Sequence, residues 1–279
     1  MRQRMKTLAV FAALPWECTA AVQWLQEVER GRTSGFVWWQ GRAADHRVRV
    51  VRTGIGAERA AAAVRDTFSQ FPFELAVSTG CAGGLVPTLE PGALVVATEV
   101  VCDHDGTRYA TAPLDQDALP PNHWKLSLHF GRQLCVRSAL STAAEKQAAG
   151  VRFEALAVDM ESAGVARSSK ELGVPFVSVR AILDPVAAAL PGTGTLLDPT
   201  TGQVRPWQLF RALATGGGEL WSELRALQHF KRQAQTALGI FFRVYFSSLA
   251  GNTQTASNRE ARHHHEEEPC DFRCTSRPT

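Results

Sequence analysis

The chain has 279 residues, 45% of them hydrophobic, and a formal net charge of +3. That length and apolar content exclude a fibrous or wholly disordered protein and leave room for one large α/β domain with an appendage. Lys and Arg are scattered rather than striped, which excludes nucleic-acid binding as the main activity.

In chain order, the basic start and apolar Leu8–Leu14 imitate a signal peptide, but Pro15-Trp16-Glu17 stands where a small-residue cleavage site is needed. Thr7–Leu14 is therefore expected as a first buried strand, and Glu17–Glu29 as a helix with Val22 and Leu25 inward. Phe36–Gly41 and Arg47–Thr53 read as the strands of a hairpin. Thr53-Gly54-Ile55-Gly56 then opens an Ala-rich helix running to about Ser69. Glycines at such a junction let backbone amides face an anion or a ribose, although an ordinary strand-helix turn uses them too.

Leu75–Thr79 is the next buried strand and ends in Gly80-Cys81-Ala82-Gly83-Gly84-Leu85. Three glycines in six positions imply a close approach to the backbone, and contact with a ligand is the favoured reason. Leu94–Val101 is a strand and Asp103–Asn122 a polar surface loop near the site mouth. Leu134–Leu140 is a short strand, and Thr142-Ala143-Ala144-Glu145 fits a helix start with a capping box.

The stretch Ala155–Asp184 organises the rest. Apolar Ala155–Val158 delivers Asp159-Met160-Glu161 to the end of a strand. About three turns of helix follow, stopped by Gly173-Val174-Pro175. Phe176–Ile182 is then a fully apolar strand carrying Arg180, with Asp184 just past it. Carboxylates thus stand at the carboxyl ends of two strands joined by a helix, the edge where open α/β sheets bind ligands.

Beyond it, Val186–Pro206 is expected as a lid or exit loop. Trp207–Leu249 reads as two helices broken at Gly216-Gly217-Gly218. Gly251–Thr279, polar and with a His263-His264-His265 run, is expected to be disordered. The six cysteines have no paired metal spacing. No metal, no cofactor and no disulfide framework are expected, and a reducing cytoplasm fits. No run of about 20 apolar residues is present to cross a bilayer.

Four ordered blocks resemble the nucleoside phosphorylase superfamily, and within it the methylthioadenosine/S-adenosylhomocysteine nucleosidases. They are Ala13-Leu14-Pro15-Trp16-Glu17, Thr53-Gly54-Ile55-Gly56, Ser78-Thr79-Gly80-Cys81-Ala82-Gly83-Gly84-Leu85, and Val158-Asp159-Met160-Glu161-Ser162-Ala163 with Arg180-Ala181-Ile182-Leu183-Asp184. More narrowly, Ala143-Ala144-Glu145-Lys146, the Asp-Met-Glu-Ser wording and Arg205-Pro206 look like hopanoid-associated phosphorylases, a group held to remove adenine from adenosylhopane. The resemblance implies a three-layer α/β fold with a central mixed sheet flanked by helices. It divides the chain into a catalytic domain over 1–205, packed helices over 206–250 and a disordered tail over 251–279. It further implies a cytoplasmic homodimer or larger homo-oligomer acting on a purine nucleoside, with adenine released.

On that resemblance Asp184 is the general acid for the leaving purine, and Glu17 orients and deprotonates water. Glu161 takes the ribose hydroxyls, Met160 packs on the sugar, and Asp159 stands where several nucleosidases have Glu. Cys81, Ala82 and Gly83 line the substrate, Leu140 lies in the purine-packing loop, and Arg180 orients the site or pairs with a neighbouring acid. Cleavage through an oxocarbenium-like sugar calls for such a set. The paired arginines of phosphorylases have no counterpart, with Thr19, Ala20 and Ala21 after Glu17 and Ser78 before the glycines. Hydrolysis is therefore expected over phosphorolysis, with Arg52 or Arg59 as the residues phosphate would use. Cys81, Leu183 and an aliphatic Ser138-Ala139-Leu140-Ser141 loop depart from the nucleosidase pattern and leave a non-catalytic nucleoside binder as the competing reading. A long apolar 5′ group would need an exit past Val186–Leu197 and Phe241–Phe246, a surface that could also touch a membrane.

Overall fold

Short apolar runs bounded by Gly and Pro build a ten-stranded mixed sheet. The computed structural model of the chain describes residues 6–114, 126–188 and 228–249. The elements are β1 (Lys6–Ala12), α1 (Pro15–Val22), β2 (Gln26–Thr33), β3 (Phe36–Ala43), β4 (His46–Arg52), α2 (Ala57–Gln70) and β5 (Leu75–Gly84). They continue as β6 (Leu94–Cys102), β7 (Arg108–Ala110), β8 (Leu128–Cys135), α3 (Ala143–Phe153), β9 (Ala155–Asp159), α4 (Ser162–Glu171) and β10 (Phe176–Asp184). A final helix, α5, covers residues 228–249.

The strands lie in the order β10-β6-β8-β9-β5-β1-β4-β3-β2, with β7 on β6. Because β10 also pairs with β5, the strands β5, β9, β8, β6 and β10 close into a ring. β4, β1, β5 and β10 run parallel, so their carboxyl ends share one edge. β9 meets β5 there in antiparallel fashion, through Gly83–Val158 and Gly84–Ala157.

Alternation along β1 shows how the layers arise. Leu8, Val10 and Ala12 face a core shared with α1 and α5, while Ala9 and Phe11 face one shared with α2 and α4. Phe241, Phe242, Tyr245 and Phe246 of α5 are buried in the first core. They pack against the sheet rather than lining an exit. α2 and α4 lie close because residue 164 is glycine: a Cβ there would stand 1.9 Å from the Ala57 carbonyl oxygen.

Three expectations need correction. The helix over Glu17–Glu29 ends at Val22, and Gln26–Thr33 is the edge strand β2. The signal was Ser34-Gly35, both at positive φ (48° and 89°), which makes a two-residue hairpin loop. Pairing with β3 overrides the helical spacing of Val22 and Leu25. The strand over Leu134–Leu140 lies earlier, at Leu128–Cys135, where Gly131 makes room for the Leu156 side chain. β5 does not stop at Thr79 but runs on through the glycine block to Gly84. The loop over Asp103–Asn122 holds β7, and its residues 115–122 lie outside the described residues. So do most of Val186–Pro206, Gly216-Gly217-Gly218 and Gly251–Thr279.

Gly164→Ala is expected to lower the unfolding free energy by about 1–3 kcal/mol, since the backbone of α2 must move to admit the methyl group. Urea titration checks this; an unchanged midpoint would mean the helices separate without cost.

Candidate active site

The end of β5 is a strand without side chains at the places that matter. A Cβ on Gly80, whose φ is 149°, would lie 3.0 Å from Glu17 Oε1. One on Gly83 would lie 3.3 Å from Asp184 Oδ2 and 3.2 Å from Val158. The groups that come close to the glycine block are therefore the protein's own carboxyls, one from each side.

Glu17 enters from α1, which Pro15 starts. Its Oε2 accepts from the Leu14 amide at 2.8 Å and its Oε1 from the Cys81 amide at 2.8 Å. Burial pushes its carboxyl above the ordinary range, against those two amides and the Arg180 charge. Cys81, half-buried, has its thiol pushed well up by burial and by the nearby Glu17, Glu161 and Asp184 charges. It is a neutral lining group and not a thiolate nucleophile.

Asp159, Met160 and Glu161 follow β9. Asp159 is buried and is met by the Arg180 Nε at 2.6 Å, by a second Arg180 nitrogen, and by the Ser162 hydroxyl at 2.7 Å. Arg180 spends its remaining donors on Ser78 Oγ at 2.7 Å and the Val179 carbonyl at 3.2 Å. Of the two roles expected for Arg180, it takes the pairing one, and Asp159 is its partner. Glu161 Oε1 accepts from the Gly56 amide at 2.8 Å. The glycine junction before α2 thus faces a carboxyl of the protein itself, that of Glu161. Burial and the Asp159 charge push the Glu161 carboxyl up to about 8, so without a ligand it is protonated at neutral pH.

Asp184 owes its aim to a bulge. Ile182 pairs with Ala82 and Asp184 with Gly83, so Leu183 is an extra residue in β10. The bulge turns Asp184 toward β5 while Leu183 packs toward the α1–α5 core. Burial raises the Asp184 carboxyl, opposed by Lys146. Met160 and Leu140 pack on one apolar cluster with Leu85, Val136 and Val158. Ala82 is buried in the next cluster with Ile182. Glu17, Cys81, Gly83, Asp159, Glu161, Arg180 and Asp184 are therefore drawn to one edge.

Lys146 was missed as a site residue. It is 1% exposed, and its Nζ donates to Asp184 Oδ2, to the Ala188 carbonyl at 2.7 Å and to the Pro185 carbonyl at 3.2 Å. The available signal was its spacing: Lys146 and Gly150 share the buried face of α3, an odd place for a lysine.

No predicted site residue lines the cavity of about 400 Å³ at the opposite edge, whose walls include Leu8, Leu75, Val177 and Tyr245. Among the described residues, Cys102, His104 and Asp105 hold ligand-type atoms within 4.8 Å of one another on the turn after β6, and none of them is a predicted site residue.

Residues 7–203 match the family profile of the Phosphorylase superfamily. A 5′-methylthioadenosine/S-adenosylhomocysteine nucleosidase from Marinomonas sp. (strain MWYL1) is 28% identical over 201 residues, covering 64% of this chain and 86% of that one. Among solved structures, the S-adenosylhomocysteine nucleosidase of Streptococcus pyogenes, bound to 5-methylthiotubericidin, aligns with a TM-score of 0.69. That alignment has 19% identity and covers 90% of this chain and 99% of that one. The Neisseria meningitidis 5′-methylthioadenosine/S-adenosylhomocysteine nucleosidase with methylthio-immucillin-A aligns at 0.66, with 20% identity and coverage of 87% and 99%. At these identities the structural likeness speaks for the fold: a central mixed sheet flanked by helices.

The raised Glu161 carboxyl has a consequence for stability. Its proton is held to about 8 in the folded chain against an ordinary 4.5. The stability linked to that proton is complete below the ordinary value and is lost as the pH rises through about 8. Glu161→Gln imitates the neutral acid and can still accept from Gly56. It is expected to melt with the parent near about pH 5 and at least about 2–4 °C above it near about pH 9. Calorimetry at both pH values tests this; a variant that melts below the parent at the alkaline value would overturn it.

Proposed function

Since this chain belongs to the Phosphorylase superfamily, we propose that it cleaves the N-glycosidic bond of a 5′-substituted adenosyl nucleoside by hydrolysis, releasing adenine and the free sugar. One observation carries the choice of water over phosphate. Among the described residues, Glu17, Asp159, Glu161 and Asp184 come together with Arg180 and Lys146, and both of these cations are already engaged by carboxyls. A phosphate dianion brought there would find both of those cations already committed. Arg59 is turned away, donating to the Thr53 carbonyl at 3.2 Å and lying over the Phe36 ring. Neutral water meets no such barrier.

In this reading Asp184, whose carboxyl burial raises, gives a proton to the purine as the glycosidic bond breaks. Glu161 takes the ribose hydroxyls and, on ionising, favours the oxocarbenium-like sugar. Met160 packs against the sugar, with Cys81, Ala82 and Gly83 along one wall and Leu140 near the base. Glu17 receives a proton from the attacking water. Cys81, Leu183 and the aliphatic Leu140 loop favour a 5′ group other than methylthio, an adenosyl-hopanoid type being the narrower expectation. A cytoplasmic homodimer without metal or cofactor completes the reading, with 1–205 as the catalytic domain.

The relatives' activity supports this reading: the Marinomonas sp. protein is a nucleosidase by name. Incubation with adenosine, methylthioadenosine and longer-tailed adenosyl compounds in phosphate-free buffer is expected to release adenine and free sugar. Asp184→Asn should reduce that release by about 10²–10⁴-fold. Strict dependence on added phosphate would replace hydrolysis with phosphorolysis. Binding without turnover in both proteins would leave a nucleoside-binding relative.

A further inference from the structure

The reaction just described uses Asp184 but gives no work to the cation that holds it. Lys146 is placed by two independent constraints. The capping box fixes the first turn of α3: Thr142 Oγ1 accepts from the Glu145 amide at 3.2 Å and Glu145 Oε2 from the Thr142 amide at 2.9 Å. Gly150, one turn further on, lets α3 lie against the end of β5, since a Cβ there would be 2.7 Å from the Leu85 carbonyl oxygen. Together they drive Lys146 inward to the end of β10. An ammonium has three hydrogens, and each has an acceptor: Asp184 Oδ2, the Pro185 carbonyl and the Ala188 carbonyl. The other ionisable groups around Asp184 leave it no second cation. Cys81 on β5 is held as the neutral thiol, Glu17 and Glu161 lie across the recess, and Arg180, lower on β10, is bound to Asp159.

Resting on the proposed hydrolysis, we infer that Lys146 is a positioning residue for Asp184. Its ammonium orients the carboxyl through Oδ2, leaves Oδ1 to the substrate, and stabilises the carboxylate that forms when the proton is given up. In the step itself the Asp184 O–H bond breaks and an N–H bond forms on the purine, which leaves with the electron pair of the C–N bond. Water gives its oxygen to the sugar carbon and a proton to Glu17, and Lys146 and Asp184 end as ammonium and carboxylate. Without Lys146, burial alone would make Asp184 a reluctant donor, protonated to higher pH but slow to part with its proton.

The test is the pH profile of kcat/KM for the parent, Lys146→Met and Lys146→Gln, the last keeping two donors for the Pro185 and Ala188 carbonyls. Loss of the charge is expected to move the alkaline limb upward by about one to three pH units and to lower kcat by about tenfold or more. In an Asp184→Asn background the same substitutions should cost nothing further. An unmoved limb in either variant, or an equal loss in the Asp184→Asn background, overturns the inference and reduces Lys146 to an anchor for residues 185–188. Infrared difference titration of the Asp184 carboxyl, assigned against Asp184→Asn, needs no turnover. A parent that releases no purine sinks the reaction, while the carboxyl titration still decides the pair.

Discussion

Charge compensation among buried side chains is the condition the rest of the site depends on. Asp159 and Arg180 are both 1% exposed in their side chains, and each is the other's main partner. A buried pair of this kind contributes little net stability, but removing one partner strands a charge at a cost of about 3–5 kcal/mol. Because Asp159 claims the guanidinium, Glu161 and Glu17 feel it only at a distance, and burial dominates them. Protons take the place of missing cations. The recess is thereby suited to neutral water and to a leaving group that needs a proton.

The same economy governs the backbone. β5 carries glycine where carboxyls from α1 and β10 press against it, so the strand supplies amides and space rather than side chains. Closure of β5, β9, β8, β6 and β10 into a ring brings β9 round to that same end. The bulge at Leu183 then sets the angle of Asp184. The groups thus come from α1, β5, β9 and β10 and the turn after β9, and the ring brings the ends of the three strands together.

Much of this was legible in the residues. The strands β1, β5, β6, β9 and β10 stood out because buried strands in a mostly parallel sheet read as unbroken apolar runs, and β3 and β4 as the strands of a hairpin. The α3 capping box and the Asp159–Glu161 and Asp184 positions followed from short-range patterns. What escaped detection depended on pairing and packing rather than on the residues' own pattern. β2 is exposed nearly throughout, and only its pairing with β3 makes it a strand. Lys146 looked like one more polar helix residue, because a lysine's destination is set by what its helix packs against. The glycine block was read as room for a ligand. Its close occupants are Glu17, Val158 and Asp184, none of them near it in sequence.

Glu161 has a further significance through the amide it touches. Gly56 is the residue just before α2 and has no side chain to cap that helix; the carboxyl of Glu161, the residue just before α4, meets its amide. One side chain therefore ends a helix and fronts the recess at once. Its rotamer is settled before any ligand arrives, so little freedom remains to be lost on binding. The oxygen facing the helix is committed to that amide. Shape here is conferred by secondary structure itself, with a helix end acting as the jig that holds the carboxyl still.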